Sequence, residues 1–127
     1  MKIKNSYVYI KEARFHAFHG VMPQEQQVGG DFLVSVKAEI DVTQAVLHDM
    51  VEVTLDYAEL YHVVKFEMEH PSMLLEHVAG RIGEAVFDTF PQVCAVDIRL
   101  TKVNPPMGAD CQGAGVELHL INDKTRP

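Results

Sequence analysis

Residues 32–40 read Phe32-Leu33-Val34-Ser35-Val36-Lys37-Ala38-Glu39-Ile40, and their side chains alternate in character. Successive side chains of a strand point to opposite faces. Phe32, Val34, Val36, Ala38 and Ile40 therefore make one apolar face, and Leu33, Ser35, Lys37 and Glu39 a mostly polar one. A strand covered on one side only is the pattern of an antiparallel sheet with one solvated face.

Working outward, an earlier strand is expected over Tyr7 to Phe18. Val8 and Ile10 are out of phase with Ala13, Phe15 and Ala17, and a bulge between the two sets would bring both to the same face. His19 to Gly30 reads as a loop. Beyond residue 40, residues 56–70 predict a helix, with Asp56 as cap, Glu59 three positions later, and a stripe of Tyr57, Leu60, Tyr61, Val64 and Met68. Pro71 interrupts it. Ser72 is expected to cap a second helix in which Leu75, Val78, Ala79, Ile82 and Val86 face one way, with Pro91 after its end. Cys94, Val96, Ile98 and Leu100 then alternate with Ala95, Asp97, Arg99 and Thr101. After a loop from Asn104 to Gly113, Val116, Leu118 and Leu120 alternate with Glu117 and His119. The order ββααββ gives an α+β fold: a four-stranded antiparallel sheet with two helices on one face. Two open edges and a second face are left for neighbouring subunits to cover.

At 127 residues the chain is sized for a single domain, 1–127, and its 47% hydrophobic content argues against disorder. The formal charge of −7 and the absence of a Lys/Arg run disfavour nucleic acid and acidic membranes as partners. Cys94 and Cys111 form no CxxC. Cys94 reads as a buried thiol, and no disulfide framework is implied. Met1 to Asn5 lacks an apolar signal-peptide segment, and no stretch approaches a membrane span, so a soluble cytoplasmic protein is expected.

Lys102 breaks the local rules. It continues the apolar row 94, 96, 98, 100, where a Lys is costly unless the strand ends or the side chain faces a cavity. Fraying at Leu100, with Lys102 solvated, is the competing reading. Asn104-Pro105-Pro106-Met107-Gly108 follows, stiffened by two prolines, and fits either a pocket wall or a rigid connector. Glu76 sits in the first turn of the second helix after Leu74-Leu75. There it is either an acid favoured by the helix dipole or a carboxylate able to accept two parallel N–H bonds from a guanidine-like edge. Tyr57 belongs to a helical stripe and reads as core on spacing alone. Glu25 lies in a polar loop, where a solvated charge is the plain reading. Among the seven histidines, His16 and His19 are three apart and converge only if the chain turns at Gly20; there is no HExxH and no zinc-like cysteine spacing. Asp110 and His77 find no serine in a nucleophile-elbow context.

Taken in order, Phe18-His19-Gly20 with Glu25, Asp56-Tyr57, Leu74-Leu75-Glu76-His77, Thr101-Lys102-Val103-Asn104-Pro105-Pro106 and Gly113-Ala114-Gly115-Val116-Glu117 resemble the dihydroneopterin aldolase family over nearly the whole chain. The resemblance implies the tunnelling fold, with four subunits joining sheets into a barrel and two rings stacking into a homo-octamer. It implies active sites between adjacent subunits. On this match Glu76 is the pterin anchor with Leu75 contributing backbone contacts, and Lys102 the catalytic lysine. Tyr57 is the catalytic tyrosine supplied by the neighbouring subunit, and Glu25 the glutamate near the substrate's hydroxylated tail. Met73 departs from relatives that carry a polar residue there, and Cys111 lies in a variable part of its loop.

The implied reaction is retro-aldol cleavage of 7,8-dihydroneopterin at C1′–C2′, giving 6-hydroxymethyl-7,8-dihydropterin and glycolaldehyde on the route to folate. The C6=N5 imine of the substrate is already an electron sink, so neither a Schiff base nor a metal or other cofactor is expected. An epimerase acting at C2′ of dihydroneopterin or its triphosphate is the nearest alternative. The lack of an Arg/Lys cluster near Glu25 or Tyr57 in the sequence favours the unphosphorylated substrate. A metal-dependent pterin synthase or cyclohydrolase and a non-catalytic pterin-binding protein are further alternatives; the last leaves Lys102 unexplained.

Overall fold

The computed structural model describes residues 1–51 and 54–125. Strands β1 (Tyr7–Ala17), β2 (Gly30–Glu39), β3 (Ala95–Lys102) and β4 (Ala114–Ile121) form one antiparallel sheet in the order β1-β2-β3-β4. Helices α3 (Tyr57–Met68) and α4 (Leu75–Thr89) stand between β2 and β3 in the chain, preceded by two short helices, α1 (Pro23–Gln27) and α2 (Thr43–His48).

The expected bulge is present in β1. Ile10 pairs with Val36 and Ala13 with Val34, so Lys11 and Glu12 stand opposite Ser35 alone. Glu12 takes the left-handed region (φ 53) and its N–H donates to Ser35 Oγ at 2.9 Å. The extra residue brings Val8 and Ile10 to the same side as Phe15 and Ala17, and all four pack in or against one core.

That core lies between the helices and one sheet face. Val34, Val36, Ala38, Val96, Ile98 and Leu100 from the sheet meet Leu60, Val64 and Met68 of α3 and Val78, Ala79, Ile82 and Val86 of α4. Asp56 caps α3 as expected, accepting from Ala58 N–H at 2.8 Å. The α3 stripe is narrower than its spacing suggested: Tyr57 is 70% exposed. Its place in the first turn puts it past the edge of the sheet-facing row.

Three further expectations change. Ser72 does not cap α4. The helix begins at Leu75 with Leu74 in an extended N-cap conformation and no side-chain cap; the Ser72 hydroxyl is taken by Arg81 and His77 instead. Cys94 is half-buried rather than buried and precedes β3. The loop 19–30 contains α1, whose sequence Pro-Gln-Glu-Gln-Gln has no apolar period to announce it.

Candidate active site

Strand β3 does not fray at Leu100. Lys102 still pairs with Phe32 on β2 and with Ala114 on β4, so the strand carries the apolar row to its last residue. There the side chain passes over the Phe32 ring, with Nζ 5.8 Å from the centroid. The ammonium forms an ion pair with Glu25 Oε2, and only 15% of the Lys102 side chain and 14% of the Glu25 side chain are exposed. Beyond the strand, Val103 N–H donates to the Asp31 carbonyl at 2.9 Å. Asn104 then turns in the left-handed region (φ 54) before Pro105. A residue preceding proline is kept out of the right-handed helical region, and Asn tolerates the left-handed one. Pro105 and Pro106 beyond the turn line the space beside Lys102.

Glu25 is set by its own short helix. Pro23 supplies the fixed φ suited to a first turn, and Glu25 Oε1 accepts from Met22 N–H at 3.2 Å. The Lys102 ammonium, first, and the Met22 N–H hold the Glu25 carboxyl below its ordinary pKa, against the opposing effect of burial. Gly20 makes room for this: a Cβ there would lie 2.5 Å from Glu25 Cδ and Oε1. Glycine at this position lets the carboxylate fold beneath the backbone.

A cleft of about 400 Å³ opens beside the pair. Glu25, Lys102, Leu75, Glu76, Pro106 and Met107 are among its walls, so four of the five residues singled out from the sequence meet in one place. Glu76 is exposed and makes no hydrogen bond or ion pair among the described residues. It stands in the first turn of α4, where Leu74 offers no side-chain cap; the leading N–H groups of the helix are among those that lack intrahelical partners. A smaller adjoining cavity of about 160 Å³ shares Glu25 and Lys102 and adds His19, Phe32 and Asn104. Tyr57 lines neither space. Within one chain it is not brought to Lys102.

His19 was singled out in the sequence only as a weak metal candidate and as part of the Phe-His-Gly motif. It is 1% exposed, stacks edge-on to Phe32 at 5.3 Å between centroids, and accepts the Ser72 N–H at Nδ1 over 3.1 Å. Burial, then the charges of Arg81 and Lys102, push its pKa down to about 4, outweighing the pull of the Met68 carbonyl. The ring is therefore neutral near pH 7, with its proton on Nε2. Among the described residues no group of three His, Cys, Asp or Glu side chains is placed to hold a metal ion, and no helix is long and apolar enough to cross a membrane.

The antiparallel ββααββ sheet with helices on one face defines a tunnelling-fold protein, with the cleft at the sheet's end. A Vibrio cholerae chain carrying the FolB designation superposes with a TM-score of 0.86 at 27% identity, over 94% of this chain and 100% of that one. The Escherichia coli dihydroneopterin aldolase in complex with neopterin superposes with a TM-score of 0.82 at 25% identity, over 90% of this chain and 97% of that one. In sequence, the dihydroneopterin aldolase of Staphylococcus epidermidis is 34% identical over 120 residues, 94% of this chain and 99% of that protein. The family model described as dihydroneopterin aldolase matches residues 8–119. The chain belongs to the dihydroneopterin aldolase family.

Proposed function

We propose that this protein cleaves 7,8-dihydroneopterin by a retro-aldol reaction, releasing 6-hydroxymethyl-7,8-dihydropterin and glycolaldehyde in folate synthesis. The observation that carries the reading is the single cleft uniting the Lys102–Glu25 pair with the unpaired Glu76 carboxylate. Family membership supports it, as does the neopterin named with the Escherichia coli structure.

Glu76 anchors the pterin. Its carboxylate accepts two N–H bonds from the 2-amino group and N3, and the start of α4 beside Leu75 supplies backbone contacts. The substrate's hydroxylated tail then runs toward Lys102 and Glu25. Removal of the 2′-hydroxyl proton lets the C1′–C2′ bond break. The 2′ carbon leaves as the aldehyde of glycolaldehyde, and the electron pair passes through C1′ onto the C6=N5 imine, with a proton delivered to N5. Protonation at C1′, with loss of the proton from N5, restores the imine and completes the hydroxymethyl product, so that one proton passes in net from the 2′-hydroxyl to C1′. Lys102, with Tyr57 from a neighbouring subunit and an ordered water, carries these proton transfers, and Glu25 holds the lysine and meets the tail hydroxyls. The imine sink supplies what a metal or Schiff base would otherwise provide.

The exposed Tyr57 and the unpaired edges β1 and β4 support an intersubunit site in a sheet-extended ring, and an octamer of two stacked rings. A cytoplasmic location accords with a folate-route enzyme and with the lack of a spanning helix among the described residues. Incubation of the purified protein with dihydroneopterin tests the reading. Equimolar formation of glycolaldehyde and hydroxymethyl-dihydropterin is expected, and an absence of both products contradicts it.

A further inference from the structure

We propose that His19 is a positioning residue for this cleavage: clamped to the backbone of Ser72, it fixes where Glu25 stands and so where Glu25 holds the Lys102 ammonium. The inference rests on the functional reading above and adds a residue outside the proton-transfer set.

The clamp has two bonds. Ser72 N–H donates to His19 Nδ1 at 3.1 Å, and Gly20 N–H donates to the Ser72 carbonyl at 3.0 Å. One residue of the α3–α4 connection thus grips two consecutive residues of the loop that leads into α1. The second gripped residue, Gly20, lies directly against the Glu25 side chain, and its carbonyl accepts from Gln26 Nε2 at 3.0 Å. Any shift of Gly20 is passed to the carboxylate that holds Lys102. α1 is only five residues long and none of its residues belongs to the buried core, so Glu25 is placed by polar contacts, and the clamp fixes the backbone against which its side chain lies.

Ser72 is itself held. Arg81, on the well-buried α4, donates to Ser72 Oγ at 3.1 Å and to the His70 carbonyl at 2.6 Å through Nη2. Through Nη1 it donates to the Glu67 carbonyl at 3.1 Å and to Glu67 Oε1 at 2.7 Å. The guanidinium fastens the end of α3 and the following turn to α4, and the clamp transmits that fixed point to Glu25. A direct proton-transfer role for His19 does not fit. The Nε2 atom is buried and makes no hydrogen bond of ordinary length and angle among the described residues, and the residue is 1% exposed.

The test uses His19→Asn and His19→Phe. Asn places an acceptor oxygen where Nδ1 stood, whereas Phe keeps the ring volume and loses the acceptor. With dihydroneopterin, His19→Phe is expected to lower kcat roughly tenfold to 100-fold, as misplaced catalytic groups do. Affinity for hydroxymethyl-dihydropterin, which is bound at the Glu76 end, should stay within about threefold, the signature of lost transition-state interaction. His19→Asn is expected to recover most of the rate. A His19→Phe rate within about twofold of wild type overturns the proposal, and so does an equal loss in the two folded variants. Should His19→Phe fail to fold, Arg81→Met reads the other end of the relay, with the same split between rate and affinity expected. Amide hydrogen exchange reads the clamp without reference to activity. Faster exchange at Gly20 and through residues 21–27 is expected in His19→Phe, and unchanged exchange there overturns the clamp. A wild-type chain that cleaves no dihydroneopterin defeats the functional reading alone, and the exchange result still decides the clamp.

Discussion

Glu25 and Lys102 are 77 positions apart in the chain and share an ion pair beneath the backbone of Gly20. Each comes from a different kind of element. Lys102 ends a fully paired strand, and Glu25 rides on a five-residue helix attached by hydrogen bonds. A lysine on a strand paired on both sides and a carboxylate held by hydrogen bonds together place the Lys102 amine at the end of an apolar row.

Gly20→Ala tests the close approach. The new methyl group would occupy the space of the Glu25 carboxylate, at a backbone angle (φ 153) that L residues rarely adopt. The rate loss is expected to match that of Glu25→Ala, and the double variant to be no slower than either single one, because both remove the same contact. Additive losses in a double-mutant cycle would show that Gly20 acts elsewhere.

Glu76→Ala reports on recognition. Charge-assisted bonds contribute about 1.5–3 kcal/mol each. Loss of the carboxylate should weaken substrate and hydroxymethyl-dihydropterin alike, by roughly tenfold or more. Titration calorimetry with the product is the direct measurement, and an unchanged affinity would remove Glu76 from the site.

Tyr57 is tested by complementation. Chains carrying Tyr57→Phe and chains carrying Lys102→Ala are each expected to be poorly active. Co-assembled at equal amounts they should regain up to about a quarter of wild-type sites if tyrosine and lysine come from adjacent subunits. No regain on mixing would mean that the tyrosine does not act across an interface.

His19 predicts a loss of stability in acid. Its folded-state pKa is about 4, against 6.5 for the free side chain, so the unfolded chain binds the proton first as pH falls. Stability is unaffected above about pH 6.5, declines between about 6.5 and 4, and levels off once both states are protonated; the loss reaches about 2 kcal/mol by pH 5. Exposed His16 and His119, whose pKa values are raised by Asp31 and Asp97, act in the opposite sense, so the comparison is with His19→Asn. Denaturant unfolding at pH 7 and pH 5 should show the smaller pH-dependent loss in the variant. Equal losses would mean that the histidine is not held neutral.

The sheet was legible in the sequence because alternation over 32–40 and 94–101 reports a buried face directly, and even the β1 bulge showed as a phase slip between Ile10 and Ala13. Lys102 was legible for the same reason, as a charge on an apolar row. The rest was hidden by its physics. α1 and α2 are too short to carry a period. Ser72 resembles a cap in sequence, but its hydroxyl is drawn to Arg81 nine residues on. Glu25 in a polar loop looks like any solvated acid until the fold brings Lys102 to it. His19 gains its meaning only from burial against Phe32 and the Ser72 backbone. Tyr57 matched a helical stripe that the first turn of α3 does not bury.

The central claim is that Lys102 performs chemistry while Glu76 performs recognition. Single-turnover cleavage of dihydroneopterin by Lys102→Ala, measured beside product affinity, tests it most directly. The account predicts a chemical step slowed by about 10²-fold or more, with affinity for hydroxymethyl-dihydropterin changed far less. A near-normal chemical step with lost affinity would make Lys102 a binding residue and would contradict the account.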